Sequence, residues 1–348
     1  MNLFCKIEIL CLAIIALSSC AKNNSDTKLN PTSNAISFDV EQMATRATIY
    51  DNEKFLTEED NGGNFSIFAF PSGTQTKYLN DARVSYFADG HKWLFRQGNT
   101  GYSVYWPHNI ELDFFAYAPW SNKLNTTCFT LGDFAPTTGP SFSCDLPLSN
   151  VGGTINQDNL QEFVYAYSPG KSYQDQVDNG NAIALKFVRP LAVVYFKLER
   201  SYRMTMDNIT ISSIYNQGDY SSNGDTSAAG FEFGEWTPKG SKQNFVIEIN
   251  KAVPDPINYN TIFAGPLLVM PQSLSGVTMT LNNKRTDNSD YTKVINFDAL
   301  TNDEWKKWEA GHKYTYSLYL DDNDEEILFN VLVEEWKKVD YKHNIDVE

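Results

Sequence analysis

Histidine is the first side chain to weigh for chemistry, because imidazole titrates near neutral pH and ligates metals. The chain has four, His91, His108, His312 and His343. They are scattered, and none falls in an HExxH or Cys-His metal spacing. GxSxG, a P-loop and GxGxxG in their strand-to-helix contexts are also missing. The acidic run Asp321-Asp322-Asn323-Asp324-Glu325-Glu326 lacks the central glycine and spaced ligands of a calcium loop, so it reads as a solvated turn. No catalytic residue, metal ligand or cofactor is expected, and the chain does not read as an enzyme. Carboxylate pairs that meet only in a fold are not legible in sequence.

Cysteine is the next reactive type, with five in the chain. Cys5 and Cys11 sit in an apolar leader, residues 1–19, whose core from Ile9 to Leu17 follows a lone Lys6. That core is far short of the about 20 residues that span a bilayer and has the length of a signal-peptide core. The leader ends in Leu17-Ser18-Ser19-Cys20. This resembles the lipobox of bacterial lipoproteins, with Glu8 as a departure. The resemblance implies a lipidated, palmitate-bearing Cys20 tethered stably to a membrane. Ala21 in place of aspartate favours the outer membrane. The alternative is an ordinary secretory signal with a chance cysteine. Cys128 and Cys144 remain. In an oxidising exported compartment they form a disulfide or stay as two buried thiols, and both readings stand.

Arg46 is the third point of interest. It lies in ISFDVEQMATRATIYD, residues 36–51. Ile36, Phe38 and Val40 alternate as in a half-buried strand. A small link, Met43-Ala44-Thr45, precedes the arginine, and a second β-prone run begins at Ala47. An arginine in a loop is ordinarily a solvated charge. Placed between two strand-like pieces, it raises the question of why a lone basic residue stands there.

The elements around these residues are strands. Short apolar runs recur between Gly, Pro, Asn and Asp, at 64–70, 102–106, 110–119 and 162–168, then at 182–201 with a break at Arg189-Pro190. Others follow at 208–212, 244–250, 261–271, 276–283, 290–297, 312–320 and 327–336. The polar stretch 168–181 reads as a linker. One short helix is expected, with Thr301 and Glu304 as its capping box and Gly311 as its stop. Trp305 and Trp308 read as packing residues. The pattern implies an all-β protein with two β-sandwich domains in tandem, 47–175 and 176–348. A tether and strand, 20–46, precede them. The net charge of −15 argues against nucleic acid.

The carboxyl end alternates strictly. Val339, Tyr341, His343, Ile345 and Val347 share one face, and Lys338, Asp340, Lys342, Asn344 and Asp346 share the other. The run before it, 327–336, carries apolar residues on both faces and reads as buried on both. The last strand is then either the edge of its own domain or a strand that pairs with another molecule.

Taken in order, these segments resemble the fimbrillins, subunits of the type V pili of Gram-negative anaerobes. The marks are Cys20, ISFDV…TRA at 36–47, YWPHNIELDFFAYAP at 105–119, FVYAYS at 163–168 and the strand pair at 185–198. GPLLVMPQSLSG at 265–276, WEAGHKYTYSLYL at 308–320 and VLVEEW at 331–336 complete them. Phe187-Val188-Arg189-Pro190 departs from the lysine-histidine pair frequent in the family. The resemblance implies two transthyretin-like sandwiches and export as a lipoprotein. It implies a cut by an arginine-specific protease between Arg46 and Ala47, releasing the strand of Ile36, Phe38 and Val40. The neighbouring subunit's carboxyl-terminal strand, Val339 to Val347, would then fill the groove. Partners would be other copies or related pilus subunits in a head-to-tail filament, the protease, the outer membrane before cleavage, and host or bacterial surface ligands. Two alternatives stay open. One is an anchor or tip (adhesin) subunit of the same pilus. The other is a monomeric surface lipoprotein that binds glycans through Trp106, Trp120 or Trp236.

Overall fold

An apolar run without alternation needs two buried faces, and two such runs organise this fold. Leu112–Ala118 is buried at every position, and Ala192–Phe196 likewise. The computed structural model describes residues 34–41, 64–87, 92–98, 100–136, 139–147, 160, 162–200, 204–221, 234–252, 262–319 and 328–335. Among these the protein is all-β.

The first strands are β1 (Phe38–Glu41), β2 (Asn64–Pro71), β3 (Leu79–Phe87), β4 (Lys92–Gln97), β5 (Thr100–Tyr102) and β6 (Leu112–Ala118). Then come β7 (Phe129–Ala135), β8 (Gly139–Asp145), β9 (Val164–Lys171), the helix α1 (Tyr173–Asp178) and β10 (Ile183–Lys186). The later strands are β11 (Ala192–Arg200), β12 (Met204–Ile214), β13 (Gln217–Ser221), β14 (Glu235–Lys239), β15 (Gln243–Ala252) and β16 (Ile262–Val269). The last are β17 (Gln272–Ser273), β18 (Thr278–Arg285), β19 (Asp290–Asn296), β20 (Lys307–Trp308), β21 (His312–Tyr319) and β22 (Leu328–Glu335).

One sheet runs β10-β1-β4-β3-β2-β6-β9, with β5 on β4. Its ends approach each other: Tyr165 and Val188 exchange backbone hydrogen bonds, and Ser168 Oγ donates to the Ala184 carbonyl at 3.2 Å. A core that includes Phe38, Phe65, Phe95, Phe114 and Leu185 fills it. In the later part of the chain, β16-β11-β21-β22 faces β15-β12-β18-β19 across a second core around Phe196, Ile211, Met279 and Tyr316.

A third core explains the double burial of β6 and β11. The sheet β14-β13-β8-β7 draws two strands from each half of the chain, and Ser141–Asp145 pairs antiparallel with Gln217–Ser221. It packs an aromatic layer onto the outward faces of β6, β9, β11 and β16. Phe142 stacks on Tyr220 at 4.5 Å, the Tyr165 and Tyr220 hydroxyls share a hydrogen bond, and the Gly234 N–H donates to Tyr220. Trp236 Nε1 donates to the Pro190 carbonyl at 2.8 Å. Beside this layer the buried Arg189 pairs with the buried Glu162. β16 lies close on β11: a Cβ on Gly265, whose φ is +102°, would sit 2.8 Å from the Val194 carbonyl oxygen.

Several local expectations are corrected. The stretch 168–181 is not bare linker. It holds the end of β9 and then α1, started by a capping box in which Ser172 and Asp175 bond reciprocally. The helix expected after Thr301 is a single 3₁₀ turn, Asp303–Lys306, capped by Asn302. The next two residues pair with β17 instead of continuing it. β22 is not buried on both faces. Among the described residues it is the edge of its sheet, with Val331 buried and Leu332 54% exposed. Of 102–106, only Tyr102 lies in a strand, and Tyr105 makes a single bridge to Ala35.

Candidate functional site

The segment Ala35–Glu41 is threaded into the first sheet between β10 and β4. Alternation dictates how it sits. Ile36, Phe38 and Val40 are buried at 5%, 4% and 4% exposure, while Asp39 is exposed. Phe38 is surrounded edge-on by three rings: Phe65 at 6.1 Å, Phe95 at 5.6 Å and Phe114 at 5.6 Å. Such geometry sets ring edges against ring faces and adds about 0.5–1.5 kcal/mol per pair beyond burial.

The backbone of this segment is paired on both edges. Phe38–Glu41 runs parallel to Ile183–Lys186, and the Ile183 N–H donates to the Ser37 carbonyl at 2.8 Å. On the other edge Phe38 faces Trp93 of β4, and the Ile36 N–H donates to the Val104 carbonyl at 2.7 Å. Before β10 begins, a side chain takes its place. Gln176, on α1 and buried, accepts from the Ser37 N–H at 3.0 Å and donates to the Ala35 carbonyl at 2.9 Å. The same Oε1 accepts from Trp106 Nε1 at 3.0 Å.

Residues 36, 38 and 40, singled out from their alternation, thus meet in one groove. Gln176 was missed, and Trp106, its indole partner, was considered only as a glycan contact. The available signal was Ser172-x-x-Asp175, a capping box with aspartate where glutamate or glutamine is usual. Cys20, Arg46, Ala47 and the face formed by Val339, Tyr341, His343, Ile345 and Val347 lie outside the described residues. Cys128 and Cys144 form a disulfide with Cα atoms 5.0 Å apart, tying the start of β7 to β8. The tryptophans considered for glycans are engaged elsewhere. Trp106 is 8% exposed and bonded to Gln176, Trp236 holds Pro190, and the Arg83 guanidinium lies 3.9 Å from the Trp120 ring centre. Trp308 is core and donates to the Tyr316 hydroxyl at 2.8 Å, and Trp305 packs against the same core.

The site offers apolar pockets and backbone edges, which suit the holding of a strand. Among the described residues no group of three or more His, Cys, Asp and Glu side chains is placed to hold a metal ion. No helix among them is long and apolar enough to cross a membrane.

None of the curated proteins compared matches the chain. A candidate cell adhesion protein from Bacteroides uniformis is 15% identical and similar in structure, with a TM-score of 0.54 over 88% of this chain and 100% of that one. A fimbrial protein from Bacteroides vulgatus is 16% identical, with a TM-score of 0.54 over 87% of this chain and 99% of the other. At such identities the likeness is one of fold. The model of the fimbrillin-like family matches residues 45–336, most of the length. The chain belongs to the fimbrillin-like family.

Proposed function

We propose that this protein is a structural, non-catalytic subunit of a cell-surface pilus, assembled by exchange of strands. The chain is exported as a lipoprotein through Cys20 to the outer membrane. An arginine-specific protease cuts between Arg46 and Ala47. Ala35–Glu41 then leaves with the lipid, and the carboxyl-terminal strand of the next copy takes its place. In this reading the molecule keeps its two-sandwich division, with the first sandwich receiving and the second donating.

The observation that carries the reading is the burial of Ile36, Phe38 and Val40 inside a sheet, a few residues ahead of Arg46. A strand in that position cannot leave without consequence. Its loss strips pairing from facing edges of β4 and β10 and uncovers the rings around Phe38. Unpaired backbone groups and wet apolar pockets are both costly. A replacement strand with period two restores ladder bonds and fills alternate pockets, which is β-augmentation. The donor face presents four apolar anchors and His343 where the resident strand presents three. Each large apolar side chain it buries contributes roughly 1.5–3 kcal/mol. That difference favours exchange over rebinding of the cut strand. The contact is head to tail, so it propagates as an open filament.

The test is a chain lacking its final ten residues, treated with an arginine-specific protease beside the intact chain. The intact chain should form heat-resistant ladders on a denaturing gel, and the shortened one should stay monomeric. Ladders of equal length from both would exclude donation by the carboxyl end.

A further inference from the structure

We propose that Arg83, braced by Trp120 and Asn64 on the outer face of the first sheet, is a docking point for a carboxylated sugar. The proposal does not rest on strand exchange, because the site lies on the face of the sheet turned away from the pockets of the groove.

Alternation puts it there. Val84 on β3 and Phe95 on β4 are paired, and both are buried in the core of the first sheet. Their neighbours Arg83 and Arg96 therefore turn to the other face. Carrying the antiparallel register one residue further sets the two arginines opposite each other. Like charges so placed repel and destabilise a sheet. Burial, and then the charge of Arg96, lower the pKa of the Arg83 guanidinium. The chain has acids to spare, with a net charge of −15. Lys239, Lys284 and Lys313 each reach a carboxylate. Among the described residues no carboxylate pairs with Arg83.

Arg83 is nonetheless held in place. Its Nε donates to the Asn64 side-chain oxygen at 2.8 Å, and its guanidinium lies over the Trp120 ring, 3.9 Å from the centre. A guanidinium held over a ring keeps its in-plane N–H groups for other acceptors. Asn64 takes the Nε edge. Among the described residues no acceptor meets the two terminal nitrogens. That in-plane pair of donors matches the two oxygens of a carboxylate. A side chain already fixed loses less freedom when a ligand binds. Trp120 thus serves as a brace for the arginine and not as a platform for the sugar ring.

The surroundings suit a sugar better than a protein. A protein interface centres on a desolvated apolar cluster. Here Gly101 stands opposite Arg96 and leaves that approach without a side chain. Asn64 flanks Arg83, and the Ser121 N–H donates to Oγ of Ser66, the residue paired with Arg83 on β2. Leu94 adds an exposed apolar side chain. Such a mixture fits a ring that carries hydroxyls, a small C–H face and a carboxylate.

The test uses the uncut full chain and two probes with a common neutral part, sialyllactose and lactose, in a ligand-observed NMR titration at low salt. Sialyllactose should bind about tenfold more tightly than lactose, and added salt should narrow the gap. Arg83→Lys keeps the charge and loses the fork, so it should remove most of the gap while the urea midpoint stays in place. No gap in the native chain, or the full gap in a folded Arg83→Lys chain, overturns the proposal. Should Arg83→Lys fail to fold, Arg96→Gln carries the test. It should weaken sialyllactose and leave lactose unchanged, and a full gap there overturns the proposal equally. A hexaglutamate peptide tests the rival occupant. Tighter binding of that peptide than of sialyllactose, lost in Arg83→Lys, would assign the site to a protein partner and end the sugar reading.

Discussion

Phe38 links the packing of this protein to its proposed assembly. It fills a box of three rings, and Ile36 and Val40, two positions away on either side, follow the same inward register. Truncating a buried phenylalanine removes its transfer energy and leaves a hole, at about 3–5 kcal/mol. Phe38→Ala should lower the stability of the uncut chain by that amount in urea titration. Asp39→Ala, on the exposed side of the same strand, should stay within about 0.5 kcal/mol. The strand-exchange account adds a further expectation. After the cut the Phe38 penalty should vanish from the assembled filament, because the residue is no longer there. A filament that keeps the full penalty would mean that the strand never left.

At the scale of elements, the disulfide and the shared sheet carry the argument. Cys128 and Cys144 are 16 residues apart and close a loop around β7, whose strand pairs with β8. Constraining a loop of that length in the unfolded chain is worth about 3 kcal/mol. Reduction should shift the urea midpoint downward by a corresponding amount, and Cys128→Ser should reproduce the shift without reductant. The legibility of elements in sequence divides along the same lines. β2, β6, β11 and β21 announce themselves through apolar or alternating runs. β13, with the sequence QGDYS, and β14, EWTPK, do not. They bury few side chains and gain their stability from pairing across the chain, which local pattern cannot reveal. Pro238 is tolerated in β14 because that strand is a sheet edge. The groove was half legible for a similar reason. Alternation marks Ile36, Phe38 and Val40, whereas Gln176 acts at a sequence distance of 139 residues from Ser37 and sits in a polar stretch.

For the whole molecule, the aromatic interior sets a limit at alkaline pH. Burial pushes the Tyr220 phenol up to about 12, and raises Tyr165, Tyr314 and Tyr316 above the ordinary range as well. In the unfolded chain these phenols ionise near 10. Between that pH and their folded values the unfolded state loses protons that the native state keeps, so stability falls as pH rises. Each such tyrosine removes about 1.4 kcal/mol per pH unit above 10. Because Tyr165 and Tyr220 sit in the layer that joins the two halves of the chain, that joint is weakened with the rest. Phenolate absorbance should therefore appear together with loss of near-ultraviolet circular dichroism between pH 10 and 12. Full ionisation with the native spectrum intact would contradict the burial described.

The whole account depends on one strand being present in the precursor and gone from the filament. Amino-terminal sequencing of pili sheared from the cell surface tests this most directly. The account predicts that the assembled subunit begins at Ala47. Assembled subunits that retain residues 36–40, with a blocked, lipid-bearing residue 20 at their start, would contradict it.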